Sequence, residues 1–291
     1  MNHIDFRDQI SKNKRNSFFL MVFVGIVIIV LGYIISFAFD PSYFFFIMIL
    51  SIIISISYTW VNFYNSDKIA VKAVHAKKAD KTKYRDFYRL VGSLIVSSNL
   101  PMPKLFVMES NSINAFASGR DPKNAVICVT TGALEKLDRR ELEGVLAHEM
   151  GHIANYDIRF ITLVSVMVGM IAIISQIFLR SLWFKGEGNN KNSGIFIIIG
   201  IVLAVLAPIV VSLVQLSISR KREFTADATA VKFTRNPNGL IGALEKIKKE
   251  NTPEKKVSKA LAPLFFSNPF KGSLTATHPP LEKRIEVLKV L

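Results

Sequence analysis

Four long stretches without a charged residue limit what this chain can fold into more than any other feature of its sequence. They cover residues 18–39, 41–66, 160–179 and 192–219. An α-helix rises about 1.5 Å per residue, so about 20 apolar residues cross the roughly 30 Å hydrocarbon core of a bilayer. All four stretches are long enough, and we therefore predict four transmembrane helices, arranged as two hairpins in a lipid bilayer.

The first stretch also carries features of a cleaved signal peptide. Basic residues precede it, and Ser36-Phe37-Ala38 has the small-x-small pattern of a cleavage site. Its apolar stretch is, however, much longer than a signal core of about 7–15 residues. A second hydrophobic stretch follows after only one charged residue, Asp40. We therefore expect the first stretch to remain in the protein as a span.

Lysine and arginine residues near the ends of the four stretches predict their orientation. They are concentrated before the first, after the second and after the fourth stretch, whereas residues 180–191 carry three and residue 40 is acidic. Because cytoplasmic loops carry the excess of Lys and Arg, we place both termini and the non-membranous domain in the cytoplasm. The formal net charge of +15 is explained by these flanking cations. Without a recognisable nucleic-acid-reading module, we expect no nucleic-acid partner.

The two hairpins divide the rest of the chain into parts of one domain. We predict an N-terminal cytoplasmic segment over 1–16, a first hairpin over 17–65, the first part of the domain over 66–157, a second hairpin over 158–218 and the second part over 219–291. The apolar residues of "KTKYRDFYRLVGSLIVSSNL" have helical spacing. "KLFVMES" and "AVICVTT" resemble strands bounded by turn signals, with Cys128 buried in the second. The predicted fold class is therefore mainly α with a small β component (α+β).

Capping and periodicity predict three further helices. One begins after Asp138, where Glu141 completes the pattern of a capping box. We expect this helix to continue through "HEMGHIANYD" directly into the third span. Pro237 and Pro280 each open one of the other two, because proline is favoured at the first turn of a helix.

The pattern His-Glu-x-x-His is the main chemical signal of the sequence. His148 and His152 are one helical turn apart, so a single helix presents both imidazoles on the same face. Zinc accepts imidazole nitrogens at about 2.0–2.1 Å in a tetrahedral shell. Glu149 lies about 100° further round the helix. It is placed to take a proton from zinc-bound water, whose pKa the metal lowers to about 7. We therefore predict a zinc-dependent hydrolase of protein or peptide substrates, with Glu149 as general base.

A third zinc ligand must come from another segment. Glu223 is the strongest candidate, because "SRKREFTAD" directly follows the fourth stretch and is predicted to continue its helix. Asp227 lies one turn further on the same face and is placed to accept the outer N–H of a ligating histidine. His278 is the alternative ligand, although it precedes a proline in an extended segment. Asp157 is a poor candidate, since in a continuous helix it lies about 180° from His148.

Four segments together resemble one known family. "NSINAFA", "HEMGHIANYD", "SRKREFTAD" and "THPPLEKRI", combined with four hydrophobic stretches, are similar to HtpX-type membrane zinc peptidases, relatives of the CAAX prenyl endoproteases. The likeness extends through nearly the whole chain. It implies a gluzincin-like peptidase domain that binds one Zn2+ per subunit, in the cell (inner or plasma) membrane of a bacterium. It also implies endoproteolysis of misfolded or damaged membrane proteins under stress, as part of protein quality control, and self-cleavage of the isolated protein.

The same resemblance implies roles in substrate binding. The edge strand that pairs with an extended substrate backbone is formed by Asn114, Ala115, Phe116 and Ala117. An ordinary turn is the alternative for this segment. His278 and Arg284 are expected near the substrate carbonyl or the oxyanion of the reaction, with a solvated helix face as the alternative for Arg284. Tyr156 departs from the family pattern, in which a small or polar residue is common at the helix-to-span junction.

Two other functions fit parts of the pattern. A polytopic binding or transport protein usually carries ionisable residues inside its spans, whereas the four stretches here have none. A structural metal site would also be closed by four protein ligands. An endoprotease of prenylated C-termini is the second alternative, but in that family more spans surround a large chamber. We therefore favour a membrane-integral zinc endopeptidase.

Overall fold

The computed structural model describes residues 6–36, 41–165, 219–250, 259–268 and 279–291. This part of the chain is mostly helical with one small sheet, which confirms the predicted α+β class. The helices are α1 (Phe6–Ser36), α2 (Phe44–Ala73), α3 (Arg85–Ser98), α4 (Thr131–Lys136), α5 (Arg139–Ala154), α6 (Arg220–Thr234), α7 (Asn238–Lys249) and α8 (Leu281–Leu288). Short 3-10 turns lie at Pro41–Tyr43, Pro122–Asn124 and Lys259–Leu264.

Two helices of the described part are long and apolar enough to cross a bilayer. The candidate spans are Ile10–Val30, within α1, and Pro41–Ala73, which contains α2. Many of their large apolar side chains are exposed, for example Phe45 at 77% and Trp60 at 63%. An exposed apolar surface of this extent is typical of a membrane-facing region. Apart from residues 160–165, the third and fourth predicted spans lie outside the described residues.

Small residues let α1 and α2 approach each other closely. A Cβ at Gly32 would lie 1.8 Å from Ser51 Oγ, so there is no room for a side chain at this position. Further along the same contact, Ser55 Oγ donates to the carbonyl of Gly25 at 3.0 Å. Small residues and interhelical hydrogen bonds stabilise helix pairs in lipid, where the hydrophobic effect supplies no attraction between helices. The first hairpin therefore has the packing expected of a membrane helix pair.

The sheet consists of β1 (Lys77–Lys78), β2 (Lys104–Met108), β3 (Ala115–Ser118) and β4 (Val126–Thr130). Its spatial order is β1–β2–β4–β3. β2 and β4 are parallel, and their register pairs Phe106 with Cys128. β1 and β3 are antiparallel to their neighbours. β2 and β4 are the two strands predicted from the sequence, and β3 lies at the edge of the sheet that packs on α5.

Each face of the sheet is covered. On one face, residues of α3, α5, α7 and α8 form the main core, in which Val91 and Leu146 are fully buried. On the other face, Phe116 and Cys128 pack against Phe265 and the end of α2. Cys128 is buried in a strand, as predicted, and burial raises the pKa of its thiol. The thiol therefore stays protonated and does not act as a nucleophile.

A separate cluster joins the first span to the chain that follows α5. Leu20 and Val24 of α1 pack against Phe160, Leu163 and Val164. All five side chains are buried, although most of their neighbours on α1 are exposed. The first span is therefore in direct contact with the start of the third predicted span.

α5 is the central helix of the domain. Almost every residue from Glu141 to Ile153 is buried, which is typical of a helix surrounded by other elements. Its N-terminus has the predicted capping box. The Asp138 carboxylate accepts from the backbone N–H of Glu141, and the Glu141 carboxylate accepts from the N–H of Asp138. The helices predicted after Pro237 and Pro280 are also confirmed, as α7 and α8.

The end of α5 differs from the prediction. α5 ends at Ala154, and a second helical stretch covers residues 157–165 after a two-residue turn. Tyr156 in this turn has a φ of +57°, in the left-handed region that a right-handed helix does not contain. The prediction of one continuous helix into the third span is therefore wrong. The break also changes the direction in which Asp157 points.

Gly144 permits the contact between α5 and α7. A Cβ at this position would lie 2.5 Å from the backbone nitrogen of Leu240. We expect Gly144→Ala to lower the free energy of unfolding by about 1–3 kcal/mol, the usual cost of overpacking. Thermal unfolding of the purified protein in detergent measures this change.

Gly92→Ala is the matched control, because nothing lies within 4 Å of a Cβ at Gly92 in α3. Replacing a helical glycine by alanine in open space should raise the free energy of unfolding by about 0.5–1 kcal/mol. Equal unfolding temperatures for the two variants would show that α5 and α7 do not pack as closely as described.

Candidate metal centre

Three side chains from two helices meet at a buried point. α5 supplies His148 and His152, and α6 supplies Glu223. The Nε2 atoms of the two histidines are 3.1 Å apart. The Glu223 carboxylate oxygens lie 3.7 Å from His148 Nε2 and 3.6 Å from His152 Nε2. Within the described ranges, these residues form a group whose ligand atoms all lie within 4.8 Å of one another.

A glycine in the motif brings the two helices together. A Cβ at Gly151 would lie 3.0 Å from the carbonyl oxygen of Ala226, so its absence lets α5 and α6 approach. Glu223 precedes Ala226 by three residues and therefore lies on the same face of α6. The motif thus provides both imidazoles and the surface against which the third side chain is placed.

A carboxylate holds the outer nitrogen of each histidine. His148 Nδ1 lies 2.8 Å from Asp227 Oδ1, and His152 Nδ1 lies 3.0 Å from Asp157 Oδ2. Because a carboxylate only accepts, each Nδ1 carries a hydrogen and a neutral imidazole presents its Nε2 lone pair to the centre. This is the orientation in which metal-binding histidines are usually held.

The donor set fits a divalent cation. Two imidazole lone pairs facing each other at 3.1 Å repel unless a cation or a proton lies between them. The carboxyl groups of Glu149, Asp157, Glu223 and Asp227 are also buried here, beside the fully buried guanidinium of Arg284. The guanidinium of Arg222 also interacts with Asp157 and Glu223. Four carboxyl groups thus face two guanidinium groups, and negative charge is in excess. Two imidazole nitrogens and a carboxylate oxygen form a ligand set that Zn2+ prefers.

Burial and neighbouring charges shift the pKa values of the two histidines in opposite directions. Burial lowers the pKa of His148 to about 4, and the charge of Arg284 contributes in the same direction. Burial also opposes the charged form of His152. The hydrogen bond to Asp157 and the charge of Glu223 outweigh it and raise the pKa of His152 to about 9. Burial therefore favours the neutral form of His148, whereas Asp157 and Glu223 favour the charged form of His152.

Glu149 lies beside the two histidines. Its side chain is buried, and burial is the main reason why its pKa rises to about 7, against the opposing charge of His152. The backbone N–H of Ala117 donates to its carboxylate. A carboxyl group with a pKa near neutrality can both take up and release a proton at physiological pH, as a general base and acid must.

Arg284 lies behind Asp227. The guanidinium is 0% exposed, and it donates to the two oxygens of Asp227 at 2.9 and 2.7 Å. It also donates to the carbonyl of Phe266 at 3.2 Å and stacks on its ring. Burial alone would raise the pKa of Asp227, but the charge of Arg284 and the bond to His148 outweigh it, so this pKa is lowered. Arg284 therefore keeps Asp227 ionised and directed at His148.

The edge strand expected to bind substrate is partly covered by the chain itself. The N–H of Phe266 donates to the carbonyl of Ala115 at 2.7 Å. Asn114 Nδ2 donates to the carbonyl of Ser267 at 3.0 Å. The N–H of Ala117, in contrast, faces the glutamate of the motif. Residues 265–267 thus lie along the outer edge of β3 from Asn114 to Phe116, which forms an antiparallel bridge with Phe265. The end near Ala117 adjoins the metal centre.

One candidate residue lies outside the described part of the chain, and another is placed differently from the sequence expectation. His278, the alternative ligand and candidate oxyanion residue, lies outside the described residues. Asp157 contacts His152, although a continuous helix would place it on the far side. The turn at Asn155 and Tyr156 redirects it. The sequence signal for this turn is Asn155, because asparagine is found where helices end.

Residues 81–291 match the profile of peptidase family M48. The chain belongs to this family. It is thus a peptidase, and its His-His-Glu group fits a zinc-dependent one. The resemblance stated from the sequence motifs is confirmed.

Relatives named "Protease HtpX homolog" are similar to this M48 peptidase over almost their whole length. The one from Caldanaerobacter subterraneus subsp. tengcongensis is 41% identical, over 97% of this chain and 96% of the relative. The one from Dictyoglomus thermophilum is 37% identical, over 100% of this chain and 96% of the relative. The crystal structure of S. mikatae Ste24p has a TM-score of 0.49 and 18% identity, covering 97% of this chain and 66% of that one.

The contacts of Arg284 predict a role in holding the centre together. We expect Arg284→Met to reduce bound zinc and to lower the free energy of unfolding by about 3–5 kcal/mol. The reason is that the carboxylate of Asp227 would stay buried without the positive charge of Arg284. Zinc content after dialysis and thermal unfolding in detergent measure the two effects. Lys283→Met, at the exposed neighbouring position of α8, is the control. Normal zinc content and stability with a reduced kcat would instead assign Arg284 to the reacting oxyanion.

Proposed function

We propose that this M48 peptidase is a membrane-integral zinc endopeptidase that cleaves misfolded or damaged membrane proteins. The observation that carries the proposal is the buried group of His148, His152 and Glu223, in which a carboxylate orients each imidazole. The family and the relatives named Protease HtpX homolog support it.

The three candidate ligands and Glu149 have different roles in this proposal. His148, His152 and Glu223 hold the ion, and a set of three protein ligands is typical of catalytic rather than structural zinc. When bound, zinc supplies Lewis acidity that polarises a carbonyl and lowers the pKa of water. Glu149 takes a proton from the attacking water and passes it to the leaving amine. Its pKa of about 7 suits both transfers.

The substrate backbone is expected to pair with β3. Addition of an extended peptide to a sheet edge is a common mode of peptide recognition. Ala117 lies next to Glu149, so a peptide bond aligned there would lie beside the general base. Residues 265–267 cover the neighbouring part of the edge. The substrate therefore approaches from the Ala117 end or displaces this segment.

The position of the centre supports membrane proteins as substrates. Asp157 contacts the metal centre, and only three residues later Phe160 packs against Leu20 of the first span. The centre thus adjoins the membrane-spanning helices, where loops and chain ends of membrane proteins are accessible. The basic flanks favour the cytoplasmic side of a bacterial membrane. A peptidase at this position is suited to quality control under stress.

Because Glu149 is proposed as the general base and not as a ligand, its replacement should stop catalysis without removing zinc. We expect Glu149→Gln to lower kcat for casein by at least about 100-fold, because the amide cannot accept the proton. It should also abolish self-cleavage while one zinc per chain stays bound. Activity assays and metal analysis of the purified full-length protein measure both.

Two further variants complete this test. Glu143→Gln, on the same helix outside the centre, should keep full activity. Glu223→Ala should lose zinc itself. A Glu149→Gln variant that degrades casein at the wild-type rate would remove Glu149 from the mechanism, and unchanged zinc in Glu223→Ala would transfer the ligand role to another residue.

A further inference from the structure

The N-terminal part of α1, ahead of the uncharged stretch of residues 18–39, also reaches the metal centre. Asn13 of α1 is only 3% exposed. Its Nδ2 lies 2.6 Å from Asp157 Oδ1 and 2.9 Å from the carbonyl oxygen of Asn155. Because both partners are acceptors, the amide must turn its NH2 group towards them, and each of its two hydrogens has a partner.

These contacts extend the hydrogen bonds that hold one histidine. Asp157 is fully buried, and its other oxygen, Oδ2, lies 3.0 Å from His152 Nδ1. One carboxylate oxygen therefore holds the histidine while the other is held by Asn13. An unmet buried acceptor costs about 1–3 kcal/mol, and more when it is charged. Asn13 thus favours the one orientation in which Asp157 also reaches His152.

The same segment holds the turn that directs Asp157. Asn155 ends α5, and Tyr156 follows it with a φ of +57°. Asn13 binds the carbonyl of Asn155, and the neighbouring Lys14 Nζ lies 4.4 Å from the ring centroid of Tyr156. Two consecutive residues of α1 therefore contact the two residues of the turn. An element 142 residues away in sequence stabilises the break on which the position of Asp157 depends.

We propose that Asn13 is a positioning residue of the metal centre, which acts through Asp157 on His152. The described part of the cytoplasmic N-terminal segment predicted over 1–16 then belongs to the peptidase itself. This inference rests on the proposed zinc-dependent function, and its experiment distinguishes the failure of one from the failure of the other.

The experiment replaces the amide by a side chain of similar size without donors. We expect Asn13→Leu to weaken Zn2+ binding about tenfold, at the lower end of the 10–100-fold range for residues that hold a ligating histidine. Competition with a chelator of known affinity, using the full-length protein in detergent, measures the change. The visible absorption spectrum of the Co2+-substituted protein should also shift, because the His152 ring is no longer held in one orientation.

Ser17→Ala is the matched control. Ser17 lies one turn further along α1, is also fully buried, and donates to the backbone carbonyl of Asn13 at 2.8 Å. A general loosening of α1 would affect both variants alike, whereas we expect Ser17→Ala to keep wild-type zinc affinity and cobalt spectrum. In an Asp157→Asn background, Asn13→Leu should cause no additional loss, since its effect passes through Asp157.

Three results would overturn the role of Asn13. The first is wild-type zinc affinity and cobalt spectrum in Asn13→Leu. The others are an equal loss of zinc affinity in Ser17→Ala, and a full loss of zinc affinity when Asn13→Leu is added to the Asp157→Asn background. If Asn13→Leu does not fold, Asn13→Asp is subject to the same expectations, because it has the same shape but places a carboxylate against that of Asp157 and against the carbonyl of Asn155. A wild-type protein that binds no zinc would instead contradict the proposed function.

Discussion

Two imidazoles whose inner nitrogens lie 3.1 Å apart are the constraint on which the rest of this domain depends. Such a pair is unfavourable unless a cation lies between its lone pairs. The surrounding structure keeps the pair in place. Asp227 and Asp157 hold the outer nitrogens, and the packing of α5 against α6 adds the carboxylate of Glu223. The geometry of a metal site is thus built from contacts that are each individually common.

The carboxylates that hold the histidines are themselves held by residues from the two ends of the sequence. Arg284 of α8 binds Asp227, and Asn13 of α1 binds Asp157. All of these groups are buried, so each polar atom needs a partner inside the protein. The last helix of the chain and the first helix therefore contribute to one centre, although neither supplies a candidate ligand. This arrangement links the peptidase domain to α1, the helix that contains the first candidate span, through defined hydrogen bonds.

Much of the centre can be predicted from the sequence, because spacing within one helix determines which side chains share a face. That argument places His148 with His152 and Glu223 with Asp227, and the structure brings all four together. It fails at Asp157, because the helix breaks at Tyr156. The angle between His148 and Asp157 in a continuous helix therefore does not apply. Contacts between distant elements have no such periodic signal. The positions of Asn13 and of residues 265–267 against β3 could therefore be found only from the folded structure.

The central claim is that two imidazoles and one carboxylate bind a single hydrolytic zinc ion. X-ray absorption at the zinc edge of the purified full-length protein tests it most directly. The account predicts one zinc per chain with two histidine nitrogens at about 2.0–2.1 Å and further oxygen ligands at about 2.0–2.2 Å. It also predicts that this zinc signal is lost in Glu223→Ala. A zinc shell without histidine, or one that includes sulfur at about 2.3 Å, would contradict it.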